Sequence, residues 1–328
     1  MKFNLLTYLL ALLNFTMFGQ TPELRKFDEI IAVNDETNGK WESYYLTKAG
    51  KKFGNDSLEF YDNSPVCESE GFITFRDRKT DKAGMFNRNG DIVIPAKYNF
   101  LSKVVNGMST GLIGAEKHYI DENDEHPSWK GGKWQVIDTT DKILIDDFIY
   151  KDHLNFYSLI ISDKPTSDST RVNFRSVEGK YYSFVDFEKE FRQWITKELL
   201  NDLTKEKLID ISYDTINWES QHGRVKANKV KLISDNFTVI KSELLEILQP
   251  NTDYFISDDG LNPFIYKGEE FEKYFNNCGE PKDWIYPTMS IIISYNDKND
   301  FPQNNYEFLR TDKGYKLVGL TIREGEIK

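Results

Sequence analysis

The side chains best suited to proton transfer or metal ligation near neutral pH are four histidines, His118, His126, His153 and His222. No two of them stand four apart, so the paired-histidine zinc arrangement of helical metalloproteases is missing. A serine hydrolase needs a glycine-flanked elbow around its nucleophile, and no Gly-x-Ser-x-Gly occurs. Nor is there a glycine-rich loop ending in Lys-Ser/Thr to cradle phosphates. Each histidine therefore reads as an ordinary surface or hydrogen-bonded side chain. Hard oxygen ligands crowd Asp121-Glu122-Asn123-Asp124-Glu125-His126 and, less densely, Asn296-Asp297-Lys298-Asn299-Asp300. An EF-hand loop begun at Asp121 would need glycine where His126 stands and glutamate where Gly132 stands. Both runs read as solvated acidic loops, and neither a metal nor a cofactor is expected.

Aromatic side chains are the next candidates, because their faces stack on sugars and peptides. Trp41 and Trp134 recur in one sequence context and are expected to pack. Trp194 falls on an apolar helical stripe and is expected in the core. Trp218 and Trp284 lie in polar surroundings, Asn217-Trp218-Glu219 and Lys282-Asp283-Trp284. With His222 and Tyr286 they form the candidate ligand-binding set. No catalytic residue is assigned.

These residues sit in a chain of 328, long enough for about two domains. Lys2, the apolar stretch Leu5 to Phe18 and the exit Gly19-Gln20 form the pattern of a secretory signal peptide over residues 1–20. The stretch is shorter than the roughly 20 residues of a membrane span, so no membrane insertion is expected after its removal. Export to the periplasm, cell surface or medium follows. The mature chain keeps 41 basic against 53 acidic residues, since only Lys2 is lost. Spread acidic charge disfavours nucleic acid and anionic lipid as partners. Cys67 and Cys278 are far apart in sequence; export permits a disulfide, and two unpaired thiols are at least as plausible.

Stepping along the front half, one pattern recurs: apolar strand, glycine-type turn, apolar strand. Its turns are at Gly50, Gly90 and Asp141, spaced by 40 and then 51 residues. Asn87-Arg88-Asn89-Gly90 tolerates the positive φ of a tight hairpin. Pro95 is expected to end the strand begun at Ile92. A hairpin turned at Glu178-Gly179 closes this region as an atypical terminal unit.

Residues 82–98 resemble the WG-repeat family through Lys82, Gly84, Phe86, Gly90, Val93, Ile94, Pro95, Lys97 and Tyr98. Residues 132–145 resemble it through Gly132, Lys133, Trp134, Ile137, Asp138, Lys142 and Ile145, and residues 39–51 through Lys40, Trp41, Thr47, Gly50 and Lys51. Ala83 replaces the family's tryptophan, and Glu42 and Gln135 its second glycine. The resemblance covers about residues 39–150 and implies an array of β-hairpins with no shared catalytic residues; the hairpin domain is expected over residues 21–185.

At Asp186 the period changes. Phe187, Phe191, Ile195, Leu199 and Leu203 recur every four residues, which predicts an amphipathic helix capped by Asp186. Short helices are expected at 242–248 and 269–277, and strands at 289–295, 306–310 and 315–322. Residues 186–328 thus read as an α+β domain with helices on one face of an antiparallel sheet. The closing hairpin Phe308 to Gly319 resembles that of NTF2-like, cone-shaped domains. Three functions remain open. The preferred one is an exported, non-enzymatic binding or scaffold protein that contacts a protein, small molecule or glycan. The others are an enzyme with acid–base chemistry in a C-terminal cone, and a structural part of an envelope assembly. A deep polar cavity beneath the terminal sheet favours the enzyme; a filled apolar core favours the binding protein.

Overall fold

The computed structural model describes residues 29–37, 40–61, 64–119, 128–220, 223–295 and 303–323. The signal-like residues 1–20, both acidic runs (121–126 and 296–300) and His222 lie outside the described residues. Antiparallel sheet dominates and helices are few. The first sheet pairs β1 (Ile30–Thr37), β2 (Lys40–Thr47) and β3 (Lys52–Phe53) in sequence order. A ribbon of β4 (Phe60–Tyr61) and β5 (Ser64–Pro65) leads to β6 (Phe72–Asp77), β7 (Lys82–Asn87) and β8 (Ile92–Tyr98), again paired in order. Next come β9 (Phe100–Leu101), β10 (Met108–His118), β11 (Ser128–Asp138) and β12 (Ile143–Ile145) in one sheet. A fourth sheet holds β13 (Leu154–Ser162), β14 (Arg171–Arg175) and β15 (Tyr181–Asp186), with β15 in the middle.

Among the described residues of the front half the same turn occurs four times. Gly50 N donates to Thr47 O, Gly90 N to Asn87 O, Asp141 N to Asp138 O and Gly179 N to Ser176 O. In each, the first residue's amide also donates to the carbonyl four residues on, at Lys51, Asp91, Lys142 and Lys180. The fourth position always has positive φ: 83°, 72°, 68° and 84°. This is a type I turn closed by a left-handed bulge residue, a geometry that suits the twist of a hairpin. Side chains complete it: Thr47 Oγ1, Asn87 Oδ1 and Asp138 Oδ1 accept from the amides of Lys51, Asp91 and Lys142, each at 3.0 Å. Successive units also touch at their turns. Lys51 Nζ of the first turn donates to Asn89 O of the second at 2.7 Å, Tyr98 OH at the end of β8 donates to Asp141 Oδ1 of the third at 2.8 Å, and Lys142 pairs with Glu178 of the fourth at 2.8 Å. Apolar clusters fill the spaces between sheets, Tyr45, Phe53, Phe75 and Phe86 in the first and Met85, Ile94, Tyr98 and Ile137 in the second.

No linker separates the two halves. Asp186 ends β15, paired with Leu154, and its carboxylate accepts from Lys189 N as the N-cap of α1 (Phe187–Trp194). A π turn at Ile195–Leu199, α2 (Lys205–Asp210) and α3 (Lys229–Glu246) follow. They pack on a six-stranded sheet of β16 (Ser212–Ser220), β17 (Gly223–Asn228), β18 (Tyr254–Asp259), β19 (Thr288–Ser294), β20 (Gln303–Thr311) and β21 (Gly314–Thr321). Its order is β17-β16-β21-β20-β19-β18, with β16 and β21 parallel. One core joins Phe191, Ile195, Leu199, Ile233, Ile240 and Leu244 of the helices to Ile291, Tyr306, Phe308 and Leu317 of the sheet. Each such side chain contributes about 1.5–3 kcal/mol of burial.

Several expectations need correction. β8 continues through Pro95 to Tyr98. Proline fits because β8 is a sheet edge and its register with β7 shifts there. Trp41 does not pack: it is 63% exposed near the tip of the β1–β2 ribbon, beyond the cluster built on Tyr45. Cys67 and Cys278 are joined in a disulfide, so the thiols are not free. The helix at 269–277 shrinks to α4 (Glu269–Glu272), and that expected at 242–248 is the end of the longer α3.

Candidate functional site

Strand register defines the outer face of the terminal sheet, the one turned away from α1 and α3. Tyr306, Phe308, Leu320 and Ile216 point into the helix-side core. Alternation therefore turns Glu307, Asn305, Thr321 and Asn217 outward. Ser290, Glu307, Gly319 and Asn217 lie side by side on β19, β20, β21 and β16. The neighbouring row is Ile292, Asn305, Thr321 and Glu219, with Arg224 beyond it.

Glu307 is the group of interest. Its carboxyl lies over Gly319: a Cβ at that glycine would sit 2.4 Å from Glu307 Oε2 and 2.8 Å from Tyr266 Oη. Tyr266 OH donates to Glu307 Oε2 at 2.9 Å, and Asn305 Nδ2 approaches Oε1 at 3.4 Å. Burial pushes the Glu307 carboxyl above the usual carboxylate range, against the hydrogen bond from Tyr266 and the charge of Arg224. Burial likewise raises the Tyr266 hydroxyl. Arg224 is held by Glu219, with Nη2 at 2.5 Å.

The niche closed by these residues encloses about 20 Å³ and is lined by Asn217, Glu219, Arg224, Ile265, Tyr266, Glu307, Leu320 and Thr321. That is room for about one water molecule. An acid with a raised pKa is suited to donate or relay a proton. No substrate fits beside it while Tyr266 stays in place. A wider depression of about 550 Å³ lies at the first hairpin turn, among Glu29, Lys48, Lys51 and Arg88. Lys51 there is already bonded to Asn89 O and paired with Asp91, and Arg88 stands 4.0 Å from Glu29. It has no converging acid–base pair, so the Glu307 niche is the better candidate. Among the described residues no group of three or more His, Cys, Asp and Glu side chains is placed to hold a metal.

The candidate set read from sequence is dispersed. Trp218 packs into the helix-side core, and its buried Nε1 has no partner among the described residues. Tyr286 belongs to the opposite, outer-face cluster with Tyr266, Phe271 and Tyr274, and its hydroxyl donates to Asp312 Oδ1 at 2.7 Å. Trp284 meets the front half of the chain, where Lys103 Nζ stands 3.9 Å from its ring centroid. His222 lies outside the described residues. Sequence reading missed Glu307, Tyr266, Asn217 and Gly319. One signal was available: an isolated glycine inside the last strand marks a close approach.

No protein-family profile matches the chain, and no curated protein matches it. Among solved structures, one described as "Rd1NTF2_05 with long sheet" aligns with 42% of this chain and 97% of its own, at 11% identity and a TM-score of 0.24. So loose a superposition carries no argument about fold or function.

Proposed function

We propose that this is an exported, non-enzymatic binding or scaffold protein. Its residues 21–185 act as a WG-repeat-like hairpin array that presents an interaction surface, and residues 186–328 as an α+β unit that receives a ligand or partner. The observation that carries the reading is the fourfold recurrence of one hairpin turn in the front half, with contacts between successive units. Units that contact their sequence neighbours build long surfaces suited to partners. Trp41, 63% exposed on the first unit, has the character of a contact anchor. On the helix side of the terminal sheet an apolar core surrounds the buried polar side chains Asn236, Glu243 and Asn304, and this filled core supports the binding reading. The Cys67–Cys278 disulfide fits an oxidising, exported setting, and among the described residues no helix is long and apolar enough to cross a membrane.

The enzyme reading retains one supporting observation, the perturbed Glu307 carboxyl. Affinity capture from envelope extract, with the mature chain as bait, separates the two. A partner retained by the native chain and lost with Trp41→Ala supports the binding reading. Capture that Trp41→Ala leaves unchanged, or no retained partner at all, counts against it.

A further inference from the structure

β18 and β19 are antiparallel neighbours, a pairing that roughly two to five residues can connect. Here residues 260–287 make the connection. They hold one short helix, α4, and fold back across the outer face of the sheet. Leu261, Tyr266, Phe271 and Tyr274 of this segment are buried on Leu309 of β20 and Val318 of β21. Tyr266 closes the Glu307 niche. Long connections that carry little regular structure are commonly lids over sites.

The segment is fastened at its far turn. Asn276 to Glu280 repeats the hairpin-turn geometry of the front half, with Gly279 N donating to Asn276 O at 3.0 Å and Asn276 N to Glu280 O at 2.8 Å. At the tip of this turn Cys278 is exposed and bonded to Cys67, between β5 and β6. The ion pair across this junction is screened by solvent. Lys103 stands 3.9 Å from Glu280 and lies over the ring of Trp284, and it is 40% exposed.

We propose that residues 260–287 are a strap over the Glu307 niche, and that the Cys67–Cys278 bond is the catch that keeps it shut. An external dithiol opens the catch. Its thiolate attacks Sγ of Cys278, the more exposed of the two residues, and expels Cys67 as thiolate. The second thiol then displaces Cys278, leaving the dithiol oxidised to a disulfide and two protein thiols. Two electrons and two protons pass to the protein. The strap then keeps only its noncovalent contacts, the buried apolar cluster and hydrogen bonds such as Arg310 N to Pro287 O, so it opens more often and uncovers Glu307. The inference deepens the binding reading by naming how access to the outer face is controlled.

Hydrogen exchange of the mature chain, with and without dithiothreitol, tests this without any ligand. Failure here therefore leaves the binding reading standing. Reduction should speed amide exchange in 260–287 by at least about tenfold, while α3 and β19–β21 keep their protection. The Cys67→Ser, Cys278→Ser double variant should show the fast strap without reductant and no further response to it. Unchanged strap exchange after confirmed reduction would overturn the proposal. So would loss of protection throughout the C-terminal half, since the bond would then hold the whole fold.

Discussion

The carboxyl of Glu307 occupies the space that a side chain at position 319 would need, with a Cβ there falling 2.4 Å from Glu307 Oε2. Gly319 has no left-handed backbone to explain its identity, so the contact is the constraint. Gly319→Ala should cost about 1–3 kcal/mol, as overpacking of a buried site does. Urea denaturation measures it. Adding Glu307→Ala should recover most of the loss, because the two substitutions share one contact. Strictly additive costs would mean that something else keeps position 319 small.

At the second hairpin turn the constraint is backbone. Gly90 has φ of 72°, and a Cβ there would meet the ring of Phe53 at 2.8 Å. Gly90→Val places a β-branched residue in the left-handed region and should cost about 1–3 kcal/mol from strain alone. A thermal melt with no loss would remove the basis for the turn assignment. Asp141 takes the equivalent place at φ 68°. Its carboxylate there receives Lys97 Nζ at 2.5 Å and Tyr98 OH at 2.8 Å.

That exchange shows what sequence could and could not disclose. The turns were legible because Gly50, Gly90 and Asp141 all tolerate positive φ. The partner of Asp141 was not, since Lys97 and Tyr98 belong to the previous unit. The stripe Phe187, Phe191, Ile195, Leu199 was legible as a buried face but not as its geometry. A spacing of four drifts by about 40° per step around an α-helix. The chain corrects this with a π turn, in which Leu200 N donates to Ile195 O at 2.8 Å, and all four side chains stay buried. Most of α3 was hidden because polar Asn236 and Glu243 stand on its buried face beside Leu232, Ile233, Ile240 and Leu244. The Glu307 niche was hidden for a related reason. Its members come from β16, β17, β20, β21 and the 260–287 connection, and only the fold brings them together.

Glu243 offers a test of that buried polar choice. Its Oε2 accepts from Tyr306 OH at 2.6 Å and Asn304 Nδ2 at 2.9 Å within the helix–sheet core. Burial raises its carboxyl above the ordinary value, while those hydrogen bonds pull the other way. Glu243→Leu removes the acceptor and should cost about 1–3 kcal/mol through the donors left unmet. Glu243→Gln keeps an acceptor without the charge. The native carboxyl binds its proton more tightly folded than unfolded, so stability falls as pH rises through that window. The glutamine variant should therefore match the native chain at low pH and gain on it at neutral pH. Denaturant midpoints at two pH values decide the matter; a variant weaker at neutral pH than at acid pH would contradict it.

The junction between the halves should respond to pH in the histidine range. His153, just before β13, bonds through Nδ1 to Asp258 on β18, and its backbone carbonyl receives Phe187 N at 2.8 Å. The Asp258 hydrogen bond raises the His153 pKa above its ordinary 6.5, opposed by burial and reinforced by the charges of Asp258, Asp152 and Asp186. Lys151, 3.3 Å from Asp186, shares that surface. A raised folded-state value means that the charged pair stabilises the fold fully below pH 6.5 and loses its contribution as pH rises through the higher value. The His153 side chain is 38% exposed, so solvent screens the pair and the effect should be modest. His153→Gln should lower the melting temperature more at about pH 6 than at about pH 8. An equal loss at both, or a greater loss at the higher pH, would show that the ion pair does not stabilise the junction.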